Sequence, residues 1–274
     1  MIDRGEILES IVYGIDLKNR KIYFGLNLDT SDQEEYGDFT NASVEMAVRA
    51  IHRMAAESAT KPIEIHMNSY GGDAYAMLRL HDAILCSPCQ IKFFGGGSIM
   101  SSATWIMAVC DERYLYPNAT VMVHDGSDVI EGKHTDVQIG AVESKRLQGL
   151  LYDIYANNSK MPRSFWEDVC QRDLYLTAEE AIALGLADKL VEFKKRGNLR
   201  RLRQACMRKN VESDSMKKLV KDIYKRINKL KVPSIELNTA VKEPIDPEVF
   251  VEQEKRPAEV NQLAHKDTSE DAIR

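Results

Sequence analysis

The sequence contains no long apolar run. No stretch approaches the roughly 18 uninterrupted apolar residues that a membrane span needs, so no membrane partner is expected. Its first segment, MIDRGEILESIVYG, has neither an apolar h-region nor a small-residue cleavage site, and no secretory signal is read there. Cysteine is sparse and odd in number: Cys86, Cys89, Cys110, Cys170 and Cys206, scattered through apolar surroundings. Such a set argues for free thiols in a reducing compartment, and the cytoplasm is the expected location. Cys86-Ser-Pro-Cys89 has C-x-x-C spacing, yet no second such pair and no pair of histidines accompanies it, so no metal site is expected. Neither GxxxxGK[ST] nor GxGxxG occurs, which removes the usual signatures of ATP and dinucleotide binding, and no cofactor is expected.

What is present is ordinary material for a buried core. Hydrophobic residues make up 44% and charged residues 29% of the 274 positions, a globular balance. From about residue 10 to 193, short apolar strands alternate with amphipathic helices. Lys21–Leu26, Ile63–Met67, Gln90–Phe94, Glu112–Leu115 and Thr120–Val123 read as strands. Asp29–Asp38 reads as an exposed loop. Val44, Ala47, Val48, Ile51 and Met54 recur at three- and four-residue steps and fall on one helical face. Ala74–Leu85 reads as a second helix, and Thr135–Asn157 as a long one capped by Thr135 or Asp136. Strands separated by helices of this length predict βαβ units and an α/β class.

Composition changes near Lys194. Residues 194–231 carry 15 Lys or Arg against three acidic residues, a net of +12, so the remainder must carry −17 to give −5 overall. Three parts follow: a domain over 1–193, a basic helical extension over 194–232 with Leu219, Ile223 and Ile227 at helical spacing, and a polar tail over 233–274. The tail, with few large apolar residues, reads as disordered. The basic extension suits a solvated face, an acidic protein partner or nonspecific contact with nucleic acid. No internal repeat is found.

Two glycine-rich segments carry the chemistry, Ile65–Asp73 (IHMNSYGGD) and Phe93–Ala103 (FFGGGSIMSSA), each read as a turn from strand into helix. Such turns expose unpaired N–H groups at the positive end of a helix, and glycine admits close approach of a substrate. The second adds three hydroxyls, Ser98, Ser101 and Ser102. A serine at a helix start ordinarily only caps it, a histidine at a strand end is ordinarily structural, and a loop carboxylate is ordinarily solvated. His124, closing the strand of YPNATVMVH, and Asp173, ahead of the helix-capping Thr177, gain meaning when set beside the serines.

Together these segments resemble the Clp peptidase family (peptidase family S14) from about Arg20 to Glu192. Asn68–Gly72 (NSYGG) is similar to the family's NSPGG turn, and Gly97–Ser101 (GSIMS) to the GQAAS segment that ends in the nucleophile. Pro117–His124, Gly132–Ile139 (GKHTDVQI) and Arg172–Asp188 resemble the histidine segment, the start of the handle helix and the aspartate segment. The resemblance implies a repeated β-β-α fold shared with the crotonases, with a protruding handle helix. It implies Ser101 as nucleophile, His124 as general base and then acid, and Asp173 as the group that orients the imidazole. Backbone N–H groups of Gly72 and Ser102 would form the oxyanion hole. It further implies a homo-oligomer of heptameric rings, unfolded protein or peptide substrates, and a separate AAA+ unfoldase as feeder. A phage or prophage head-maturation protease, a catalytically silent ring subunit and an acyl-CoA enzyme of the crotonase type stand as alternatives. Tyr70 departs from the family's proline, Ser102 from its methionine, and Asp125 after the histidine is unusual. A gapless alignment would put Ile99 at the nucleophile position; GxxxS spacing from Gly97 selects Ser101 and leaves Ser98 and Ser102 open.

Overall fold

The computed structural model describes residues 13–25, 39–192 and 213–229. The expectations for residues 29–38 and for the tail from 233 onward lie outside them, as do Cys206 and most of the basic extension. Among the described residues the order is β1 (Ile15–Asp16), β2 (Lys21–Phe24), α1 (Asn41–Glu57), β3 (Ile63–Ser69), α2 (Ala74–Leu85), β4 (Ile91–Met100), α3 (Ala103–Val109), β5 (Glu112–Leu115), β6 (Thr120–Val123), α4 (His134–Asn157), α5 (Arg163–Val169), β7 (Leu174–Thr177), α6 (Ala178–Leu184), β8 (Lys189–Leu190) and α7 (Ser213–Lys229). This is the mixed α/β class that the alternation of strands and helices predicts. The four cysteines within the described residues are free, Cys86 exposed and the other three buried.

Eight strands form one branched sheet in the order β1-β2-β3-β4-β5-β8, with β6 paired to β4 and β7 to β6. Alternation sorts β3 into a buried set, Ile63, Ile65 and Met67, and a half-exposed set including Glu64 and His66. The buried set joins Val44, Ala47, Val48, Ile51 and Met54 of α1 and Met77, Leu80 and Ile84 of α2 in the core. The other set lies in two rows across β2, β3, β4 and β5. One row is Lys21, Glu64, Lys92 and Glu112, of alternating charge, with ion pairs of 2.9 Å between Lys21 and Glu64 and 3.2 Å between Lys92 and Glu112. The next is Tyr23, His66, Phe94 and Tyr114, whose rings stack at 4.8, 5.0 and 5.1 Å. Cross-strand pairs of this kind hold register, because a slip of one residue would invert the faces and set charged side chains opposite buried apolar ones, Lys21 opposite Ile63 or Ile65.

The branch lies in β4. Its first half, Lys92–Gly95, pairs with β5, and its last residues, Ser98–Met100, pair with β6. The sequence reading of Phe93–Ala103 as a glycine-rich turn is therefore corrected. The glycines continue the strand, and only Ser101 and Ser102 turn into α3. The physical reason is space: a Cβ on Gly95 would come within 2.8 Å of both Leu115 and Phe93 where the partner strand changes. A second correction concerns α4. Lys133 is its N-cap and makes no side-chain cap bond, while Thr135 and Asp136 already lie in the first turn. Asp136 there is placed to offset the positive end of the helix. The Thr177 cap of α6 forms as expected, as a capping box with Glu180.

The C-terminal part of the core is centred on α5, which the sequence reading left unassigned. Trp166 is fully buried, lies against Tyr155 and Phe165, and donates from Nε1 to Ser159 Oγ at 3.0 Å. Trp166→Ala opens a cavity and leaves Ser159 without this donor. It should destabilise the protein by about 3–5 kcal/mol, read as a lowered urea midpoint.

Candidate active site

Three chain segments end at one place because of strand pairing. Parallel pairing of Met100 with Met122 ends β4 and β6 side by side, so Ser101 and His124 both emerge just beyond the ladder. Antiparallel pairing of Val123 with Leu174 makes Asp173 the next residue opposite His124. The outcome is a chain of contacts: Ser101 Oγ lies 2.7 Å from His124 Nε2, and His124 Nδ1 lies 3.5 Å from Asp173 Oδ1. The histidine side chain is 16% exposed and the aspartate 56%. The second contact exceeds ordinary hydrogen-bond length, so the imidazole is held more firmly at the serine than at the carboxylate.

Of the three candidate hydroxyls, only that of Ser101 meets His124. Ser102 Oγ is buried and donates to the Gly72 carbonyl at 3.1 Å. Ser98 sits within β4 opposite Thr120, and its N–H donates to Asn68 Oδ1 at 2.9 Å. Ser101 has φ +52°, a left-handed conformation that costs a non-glycine residue on the order of 1–2 kcal/mol. Its N–H donates to the Met122 carbonyl at 2.9 Å, and its carbonyl accepts from Thr104 N at 3.0 Å and from Thr104 Oγ1 at 2.6 Å. Sharp strand-to-helix turns of this kind present a serine hydroxyl clear of its own backbone.

Beside it runs the Tyr70–Asp73 segment. Gly71 has φ +112°, and a Cβ there would lie 2.8 Å from Ser101 Cβ and 3.2 Å from Ser102 N. Gly72 has φ +150° and bridges to Phe39, with Phe39 N donating to Gly71 O at 2.9 Å and Asp73 N to Phe39 O at 3.0 Å. The N–H groups of Gly72 and Ser102 make no hydrogen bond among the described residues. Sequence reasoning named Gly72 but passed over Gly71, whose lack of a side chain lets the segment lie against the serine. The GG pair was the available signal, and register alone could not say which glycine takes the close contact.

Asp125 is half-buried and accepts from Gln148 Nε2 of α4 at 3.2 Å. Desolvation is the main cause that holds its carboxyl above the ordinary range, with the Asp173 charge adding and His124 and Gln148 opposing. Tyr70 is 56% exposed next to the glycine pair. Among the described residues no group of three His, Cys, Asp or Glu side chains is arranged to hold a metal. No helix among them is long and apolar enough to cross a membrane.

Residues 35–194 match the model of the Clp protease family. That match covers more than half of the 274 residues, and the chain belongs to the Clp protease family. Its domain is accordingly a peptidase domain of the Clp kind, in which β4, β6 and β7 deliver the three candidate side chains.

Gly71→Ala puts a methyl group against Ser101 at a φ that a side chain resists. It should destabilise the protein by about 1–3 kcal/mol, read as a lowered urea midpoint. For Asp125, folding favours the protonated form, because its folded pKa is raised. The stability it contributes is present below its unfolded pKa and is lost as pH rises through the folded value. Asp125→Asn keeps an acceptor for Gln148 and should raise the melting temperature at neutral pH. The advantage should vanish as pH falls through the ordinary carboxylate range.

Proposed function

We propose that the chain is a serine endopeptidase in which Ser101 attacks the scissile carbonyl, His124 takes and returns the proton, and Asp173 orients the imidazole. The observation that carries this reading is the 2.7 Å contact between Ser101 Oγ and His124 Nε2, at a strained turn in a Clp-type domain. A serine hydroxyl is a poor nucleophile until a base accepts its proton, and His124 is within reach to do so. With Nε2 as acceptor, Nδ1 carries the proton and faces Asp173, which favours that tautomer and stabilises the imidazolium that forms. Attack converts the carbonyl oxygen into an oxyanion. The N–H groups of Gly72 and Ser102 are the donors for it, and each such donor is typically worth roughly 10²–10³ in rate. The Ser102 hydroxyl bond to the Gly72 carbonyl ties the two residues together, which favours a fixed spacing of their N–H groups. His124 then protonates the leaving amine, and water repeats the cycle on the acyl-enzyme.

The family's known mode of action supports unfolded protein or peptide substrates, assembly of this chain into rings that enclose the site, and delivery of substrates by a separate AAA+ unfoldase; the scattered cysteines support a cytoplasmic location. No cofactor enters the reaction.

Labelling of the assembled protein with a fluorophosphonate, followed by peptide mapping, tests the reading. The wild type should be modified at Ser101. Ser101→Ala and His124→Ala should abolish labelling, Asp173→Asn should slow it by up to about 10⁴-fold, and Ser102→Ala should still be labelled at Ser101. Modification at Ser98 or Ser102 would move the nucleophile, and an unlabelled assembled wild type would sink the proposal in favour of a silent ring subunit.

A further inference from the structure

The helix α7 lies beyond the residues that match the Clp family, in the basic extension, and it packs against the segment that carries Asp173. Ile223 is its anchor and is fully buried. Tyr224 meets Phe165 of α5 edge-on at 6.2 Å and donates its hydroxyl to Asp168 Oδ2 at 3.3 Å. Arg226 reaches the other side of the loop. It donates to the Tyr175 carbonyl of β7 at 3.3 Å and pairs with Glu180 of α6 at 3.0 Å. From the core, Arg172 donates to the Ile227 carbonyl at 2.8 Å. Residues immediately before and shortly after Asp173 are thus tied to one helix.

This matters because, among the described residues, His124 is the one side chain that meets the Asp173 carboxylate. It is 56% exposed and stands 3.5 Å from His124, the looser of the two contacts in the chain of three. Among the described residues the strand that follows it, β7, pairs on one edge, with β6. The opposite edge is where the Arg226 guanidinium donates. An edge strand leaves backbone N–H and C=O groups unpaired unless something covers them, and in this protein the covering element comes from outside the family region.

We propose that α7 is a positioning clamp for Asp173: docking of the helix through Ile223, Tyr224 and Arg226 keeps the 172–175 segment where the carboxylate can face His124. The extension then sets the activity of the site by occupancy of this dock. Lys217, Lys218, Lys221 and Lys225 line the part of α7 left exposed, so the helix keeps its basic surface while clamped. The catalytic consequence rests on the serine-peptidase reading; the mechanical clamp does not.

The test separates the two. Backbone hydrogen exchange is measured on full-length wild type, Arg226→Ala, Ile223→Ser, Ile223→Val and Lys221→Ala. Exchange of residues 172–177 should rise about 10-fold or more in Arg226→Ala and Ile223→Ser, because protection reports local opening. The conservative Ile223→Val and the solvent-facing Lys221→Ala should match wild type. Phosphonate labelling is then compared with and without Asp173→Asn. Arg226→Ala should slow Ser101 labelling by about 10–100-fold alone and have no further effect once Asp173 is Asn, the non-additivity expected of coupled sites. Unchanged exchange at 172–177 overturns the clamp. Raised exchange with unchanged labelling, or equal slowing in both backgrounds, overturns its positioning role. Failure of the wild type to label overturns the peptidase reading and leaves the exchange result standing by itself. If Ile223→Ser does not fold, Arg226→Ala decides.

Discussion

The site depends on the register of one short strand. β6 is four residues long, yet it pairs with the end of β4 on one side and with β7 on the other. Through the first pairing it sets where Ser101 stands relative to His124, and through the second it sets where Asp173 stands. A slip of one residue would invert the faces of β6 and carry His124 away from both partners. Val121 and Val123 on one face and Met122 on the other are all buried, so the slip would press side chains of the wrong shape into two packed faces at once.

Around that strand, each departure from regular backbone serves the close approach of two segments. β4 changes partners midway, and small residues at 95–97 permit it where side chains would collide. Ser101 takes a left-handed conformation, and its turn is held by the Met122 carbonyl and by Thr104. Gly71 brings the neighbouring segment against the serine without a side chain between them. Strain of this kind persists only where surrounding packing over-determines it. The buried α3, with Trp105, Ile106 and Met107 all in the core, supplies that packing directly behind the turn. The arrangement is tight at the serine and looser at the aspartate. The contacts of α7 fall on the looser end.

Much of the fold was legible as periodicity. The three-and-four spacing of Val44, Ala47, Val48, Ile51 and Met54 predicted the buried face of α1, because burying apolar side chains on a helix requires that period. The Thr177 cap was visible in the sequence, while its reciprocal bond with Glu180 came from the structure. The glycine-rich stretch at 95–97 was misleading, since glycine marks turns and close approaches alike and the difference lies in the neighbouring strand. β1, β7, β8 and α5 were not read, being too short for a period to emerge.

By itself the sequence determined the class of the domain and its chemical vocabulary. The order of motifs from Asn68 to Asp188 carries the Clp resemblance, and the choice of side chains at 101, 124 and 173 limits the chemistry. Both are local properties of the chain. Only the tertiary structure decided which of three serines meets the histidine, that Gly71 makes the close contact, and that the basic extension returns to the Asp173 segment. Each of those depends on residues between 23 and about 55 positions apart being brought together by strand pairing and burial. Contact at such separations is an outcome of the whole fold, and no local pattern encodes it.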